Sequence, residues 1–286
     1  MGSLTSWWLT LDVKQRLKLV IYFLLLINFV VYVGNDIEQG QHTFHSGWRW
    51  YDWTSNFATT LDLLGWFVLL ILYELQTYVL SDEAFTRGRI IVMTAIRLIC
   101  VIAIGHTVFA FAAYLVDLAG AEHRVDTTLC AFANDGLSFT RNLAYWELDA
   151  SNCDMLSQSS EFYIFSQGQA ISDAAGMTVE LELAWADLVE VVAWLFILFF
   201  IELRIRLQDR AISSGRLLSF ATTAKGVLYG ILWCLAAYWA YRGHWIFAWD
   251  ETLWILGFMA IGMNLSDWQK EIAQATTPGR EINSSN

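Results

Sequence analysis

Asp62–Glu74 reads DLLGWFVLLILYE, and Glu190–Glu202 reads EVVAWLFILFFIE. Each opens on an acid, carries Trp66 or Trp194 one helical turn on, and closes on a second acid roughly two turns later. Everything between is apolar. A charge inside a long apolar run is costly, so these acids are candidates for function. A third, degraded copy follows at Asp250, Trp254 and Asn264.

Working outward, the 286-residue chain is 56% hydrophobic and 15% aromatic, with a single Pro. Six apolar runs of about membrane-spanning length cover 17–35, 58–80, 90–117, 183–203, 217–241 and 247–265. These features predict an all-α polytopic membrane protein, a six-transmembrane-helix bundle built from repeated hairpins, with a disulfide-containing outer loop subdomain. Residues 1–117 form three spans with an interfacial N-terminus. Residues 118–182 form the extracytoplasmic subdomain, 183–271 three further spans, and 272–286 a disordered cytoplasmic tail. Residues 1–16 lack the order of a cleavable signal peptide.

Lys and Arg gather on one side of this topology: Lys14, Arg16, Lys18, Arg87, Arg89, Arg204 to Arg216, Lys270 and Arg280. The other side holds Arg49, Arg124, Arg141 and Arg242. The positive-inside rule then places both termini in the cytoplasm. The formal net charge is −11, and Asp117–Glu182 is rich in acids, with Arg124 and Arg141 as its only Lys or Arg. That stretch is either a solvated acidic surface or a vestibule that concentrates cations. Nucleic acid is excluded as a partner on either view.

Cys100 and Cys234 fall inside apolar runs and read as packing residues. Cys130 and Cys153 both lie in the long outer loop and would pair in an oxidising compartment. Such a bridge contributes about 3 kcal/mol. No outer Asn lies in a glycosylation sequon, which favours a bacterial inner membrane over a eukaryotic surface. The aromatic group Trp48, Trp50, Tyr51 and Trp53 reads as an interfacial belt. His42, His45 and Asp52 would face a metal or proton if helical, and otherwise belong to a solvated loop. The reading assigns no metal and no cofactor. There is no G-x-S-x-G, HExxH or Gly-rich phosphate loop, so no catalytic set is expected. An enzyme would have to work through the outer acids with His42, His45 and His123.

Glu74 and Arg97 stand at the same separation as Glu202 and Lys225, across matching turns TRGRII and SSGRLL. Across an antiparallel hairpin each acid shares a depth with its base, which predicts the pairs Glu74–Arg97 and Glu202–Lys225. A second count takes three in–out–in hairpins, each with a base-bearing first helix and an acid–Trp second helix. Lys18 then matches Arg97 and Lys225, Asn264 closes against Lys18, and the whole has rough threefold pseudo-symmetry. His106, in the third span, is either a packed histidine or a proton relay. RGHWIFAWDE, 242–251, reads as the last outer loop.

Two functions follow. The first is transport, by a cation channel or proton/cation carrier working through Asp62, Glu74, Arg97, His106, Asp187, Glu190, Glu202 and Lys225. Asp62 and Glu190, the outer acids, are the expected contacts of an ion. The second is a non-transporting membrane subunit, sensor or scaffold. Both place the chain in the lipid bilayer, as a homo-oligomer or as part of a membrane complex.

Overall fold

A computed structural model describes residues 13–43, 50–76, 86–165, 169–209 and 215–259. In chain order its helices are α1 (Val13–Thr43), α2 (Trp50–Asn56), α3 (Ala58–Glu74), α4 (Arg87–Ala119), α5 (Cys153–Leu156), α6 (Ala174–Asp209), α7 (Arg216–Arg242) and α8 (245–259). Three of them contain segments long and apolar enough to cross a membrane: Gln15–Gln41, Arg87–Ala119 and Arg216–Arg242. At most 28% of each apolar window is buried by the protein itself. Large apolar side chains such as Phe23, Ile91, Ile102 and Phe109 are therefore left outward, a surface suited to lipid. Helix α3 has 17 described α-helical residues, at the lower end of the length for a span. Helix α6 is long, but Asp187, Glu190, Glu202 and Arg204 interrupt its apolar run.

The chain divides into two compact units, and the division falls inside helices. One comprises the described residues of Met1–Asn28, Phe67–Leu98 and Ala193–Asn286; the other comprises those of Phe29–Trp66 and Ile99–Val192. All regular secondary structure among the described residues of the first unit is helical. Leu25, Leu69, Leu70, Tyr73, Ile197, Leu232 and Phe258 are buried in it.

The second unit corrects the all-α expectation. It contains a five-stranded sheet of β1 (Glu122–Val125), β2 (Ser138–Arg141), β3 (Ala144–Glu147), β4 (Glu161–Phe165) and β5 (Ala170–Asp173). The strand order is β1-β4-β5-β2-β3, with β2 and β5 parallel and the other neighbours antiparallel. The strands are only four or five residues long, so each offers little periodic signal. In β4 the alternation is nonetheless clear. Phe162 and Ile164 pack with Leu129, Phe139 and Ile171, while Tyr163 and Phe165 pack with Leu115, Leu118 and Met177 of α4 and α6. One face of the sheet thus builds its own core and the other rests on helices.

Cys130 and Cys153 are joined in the disulfide expected of them, with Cα atoms 5.0 Å apart, and Cys153 is buried in the first of those cores. The β2–β3 turn is Asn142-Leu143, with φ of 56° and 59°. Positive φ at both central positions gives the hairpin the right twist, but it is unfavourable for Leu. Strand β5 passes into α6 without a linker, at Asp173–Ala174.

Candidate functional site

In the first unit the charges meet differently from the predicted hairpin pairs. Lys18 Nζ of α1 donates to Glu74 Oε1 of α3 at 2.8 Å, and the Tyr22 hydroxyl donates to Oε2 at 3.2 Å. Arg97 of α4 lies 3.4 Å from Glu202 of α6 and also donates to Gln76. The Tyr73 hydroxyl donates to the same Glu202 oxygen at 2.9 Å. Glu74–Arg97 and Glu202–Lys225 are therefore not the pairs formed. The bonds run from α1 to α3 and from α4 to α6, between the two helices paired by the second count of the repeat. Equal depth is shared by every helix at one level, so separation across a turn could not choose among neighbours. Asn264 lies outside the described residues, as do Trp48, His45 and the 272–286 tail.

Two further acids are buried in the first unit. Residues 245–259 are helical, so the expected loop shrinks to Gly243 and His244, and Asp250 and Glu251 stand inside α8. Asp250 is 8% exposed and Glu251 1%. The Asn28 side-chain amide donates to Asp250, and the Trp194 indole donates to Glu251 Oε2 at 3.1 Å. Neighbouring helix positions point about 100° apart. Thus Asp250 faces α1 while Glu251 faces α6, and Tyr229 of α7 packs edge-on against Trp194, ring centres 6.2 Å apart. Both donors are neutral, and among the described residues no cation pairs with Asp250. The repeated tryptophans Trp66, Trp194 and Trp254 are all buried.

In the second unit the buried acids are tied to backbone. Asp36 of α1 accepts from the Thr60 amide at 3.0 Å and its hydroxyl at 2.6 Å, so it caps the first turn of α3 from outside. Asp173 accepts from the Gly176 amide at 2.8 Å and the Ser157 hydroxyl at 2.6 Å, and pairs with Arg141. A Cβ on Gly176 would fall 2.2 Å from Ser172 Oγ, so any side chain there would have to displace that hydroxyl from its bond to the Thr140 carbonyl. Glu180 is fully buried and accepts from the Leu143 amide at 3.0 Å and the Thr140 hydroxyl at 3.3 Å. It thereby holds the strained β2–β3 turn. The Tyr114 hydroxyl lies 3.5 Å from it.

The remaining predicted residues are dispersed. Asp62, Asp187 and Glu190 are half-buried in the second unit. His106 stacks on Phe109 with ring centres 6.2 Å apart, and its buried Nε2 has no hydrogen-bond partner among the described residues. Trp53 is 48% exposed and stacks on Phe57. Of Trp50 and Tyr51 only the backbone, in α2, is described, and the His42 and Asp52 side chains lie outside the described residues. His123 stacks on Tyr163 at the surface of the sheet, 3.8 Å from Glu161, away from any catalytic partner among the described residues. Cys130, Cys153 and Asp154 converge, but the two thiols are consumed by the disulfide and offer no metal ligands.

Sequence reasoning missed Asp36, Asp173, Glu180 and Glu251. Three of these lie where a helix starts or a turn is held, and partners distant in sequence define them. Glu251 fell in both the 247–265 run and the 242–251 loop and was not singled out. Its legible signal was the acid–acid step one turn before Trp254.

Burial raises the pKa of Glu180, which lies just outside the 183–203 run, against the lowering effect of its bonds from Leu143, Thr140 and Tyr114. Burial, with the Glu180 charge second, pushes Tyr145 up to about 12. The folded state therefore holds the Glu180 proton more tightly than the unfolded chain. Stability should fall as pH rises from roughly 4.3, the unperturbed value of Glu, up through the raised value, and level off above it. Thermal unfolding of the wild type and Glu180→Gln across that window tests this. The variant should lose the downward slope; an unchanged slope would mean that Glu180 does not titrate there.

Neither a protein family, a curated protein nor a solved structure matches the chain.

Proposed function

We propose that the chain is an integral membrane protein of six spans that moves protons or small cations through intramembrane carboxylates. The observation that carries this reading is Asp250. It is buried on an apolar helix and held by the neutral amide of Asn28. A carboxylate kept for structure at that depth is ordinarily neutralised by a cation, as Glu74 is by Lys18. One held by a neutral donor is able to gain and lose a proton, or to exchange a partner ion. Asp250 is also the third counterpart of Asp62 and Glu190, the outer acids of the repeated stretch. Glu251, one residue on and facing another helix, supplies a second carboxylate to hand the proton or ion to.

In this reading the termini are cytoplasmic, the disulfide-bonded sheet lies in an oxidising outer compartment, and a bacterial inner membrane fits both. Glu74, Arg97 and Glu202 serve as fixed pairs that hold the helices, and the repeat of hairpins is structural.

Purified protein in liposomes, with a pH-sensitive dye inside and imposed proton, sodium or potassium gradients, tests the proposal. Asp250→Asn and Glu251→Gln should each lower the flux at least about tenfold, the size of a lost proton-transfer partner. Neither should unfold the protein, because each replaces a buried charge with a neutral group of the same shape. Flux that is absent from the wild type under every gradient, together with a co-purifying protein, would favour the membrane-subunit reading. The sheet then becomes the natural docking element, with Met155 81% and Trp146 42% exposed on the lobe that carries it.

A further inference from the structure

Asp250 and Glu251 are both buried, and each meets an N–H donor from another helix. The Asn28 side chain turns its amide N–H, not its carbonyl, toward Asp250. The Trp194 indole turns its N–H toward Glu251 Oε2 at 3.1 Å. An indole nitrogen is a donor only and has no lone pair to present instead. Aromatic rings pack around these groups. Trp254, one turn on from Asp250, has its ring centre 5.3 Å from that of Phe67 and 6.1 Å from that of Phe258. Trp194 lies 5.3 Å from the same Phe258. The Tyr229 hydroxyl, on a ring that packs against Trp194, is buried and makes no hydrogen bond among the described residues.

Given the transport reading, on which this rests, we propose that the species moved is the proton, and that Asn28 and Trp194 keep sodium and potassium out. A metal cation that leaves water needs several oxygen atoms to replace its hydration shell. Here the polar groups set against the carboxylates are N–H donors. Each places its positive end where a metal cation beside the carboxylate would have to sit, and the aromatic rings around them bring no oxygen ligand. A proton has no such requirement. It takes one lone pair of one carboxylate oxygen. The N–H that repels a metal cation also steadies the carboxylate left behind when the proton moves on. Asn28 and Trp194 are thus specificity-determining, and Asp250 and Glu251 carry the proton.

The test uses the full chain in liposomes that enclose a pH-sensitive dye, with thiocyanate as a permeant anion to carry the balancing charge. Proton flux should be unchanged when N-methylglucamine replaces all sodium and potassium, and Asp250→Asn should lower it at least about tenfold. Uptake of radioactive sodium, and of rubidium in place of potassium, should stay at the level of protein-free liposomes. Asn28→Asp puts a second carboxylate where the N–H stood and supplies the oxygen ligands that hard cations take, so it should gain sodium uptake. Wild-type sodium or rubidium uptake that Asp250→Asn abolishes would overturn the proton assignment and leave transport standing. So would proton flux that stops in N-methylglucamine. An Asn28→Asp protein that still moves protons and takes up no sodium would overturn the part given to Asn28. A wild type that moves no ion at all would instead overturn the transport reading itself.

Discussion

Lys18→Met is expected to destabilise the protein by about 3–5 kcal/mol, the usual loss when one partner of a buried ion pair is removed. The pair is mostly withdrawn from solvent, with the Lys18 side chain 8% exposed and that of Glu74 18%. The short contact of 2.8 Å and the Tyr22 hydroxyl on the other oxygen complete the arrangement. Without Lys18 the carboxylate keeps its burial and loses its ammonium. The double variant Lys18→Met with Glu74→Gln should recover most of the loss, because the pair as a whole contributes little beyond what a neutral replacement supplies. Arg206→Ala should change almost nothing. Arg206 is 78% exposed and sits 4.0 Å from Glu202, so solvent screens the pair. Denaturant unfolding in detergent, followed by tryptophan fluorescence, measures all three. A single variant as harmless as Arg206→Ala would show that Lys18 and Glu74 are solvated and hold no helices together.

The Lys18–Glu74 and Arg97–Glu202 pairs show how far the amino-acid order reaches. Apolar run length placed the long helices, because a helix buried in lipid has only to be apolar for long enough. The depth of each charge was legible too, since rise along a helix is fixed. Which helix faces which was not legible. Lys18, Arg97 and Lys225 stand at comparable positions, so Glu74 and Glu202 had several bases to choose from, and side-by-side packing decides the choice. The sheet was hidden for a different reason. FTRNLAYW and EFYIFSQG carry aromatic and β-branched residues, but each strand ends before alternation becomes persuasive, and the β2–β5 contact joins segments far apart in the chain. Asp250 was noticed as part of a degraded copy, and it fell in both the 247–265 run and the 242–251 loop. The Gly243 backbone, at φ 89°, ends α7 abruptly, and α8 starts two residues later. Nothing in the local composition marks so short a connection.

Asp173→Ala is expected to lower stability by about 2–4 kcal/mol, combining the loss of a helix cap with that of charge-assisted hydrogen bonds. Asp173 is 3% exposed and ends β5 at the point where α6 begins. One oxygen caps the Gly176 amide, and the other gathers Ser157 and Arg141. A single side chain thus ties the first turn of a 36-residue helix to strand β2 and to the segment that follows the disulfide-bonded helix α5. The Arg141 side chain is 43% exposed, so it regains water when its partner is lost, and its share of the cost is the smallest. Asp173→Asn keeps an oxygen for the cap and should lose roughly half as much. Hydrogen exchange separates this role from general destabilisation. In Asp173→Ala the amides of β5 and the first turn of α6 should exchange at least about tenfold faster, while those of α1 and α7 change little. The tie also bears on function. A sheet joined to a helix by one buried carboxylate transmits a change in either, so loss of the tie should uncouple reduction of Cys130–Cys153 from exchange in the first turn of α6. If reduction accelerates exchange there equally in wild type and variant, Asp173 is a cap and nothing more.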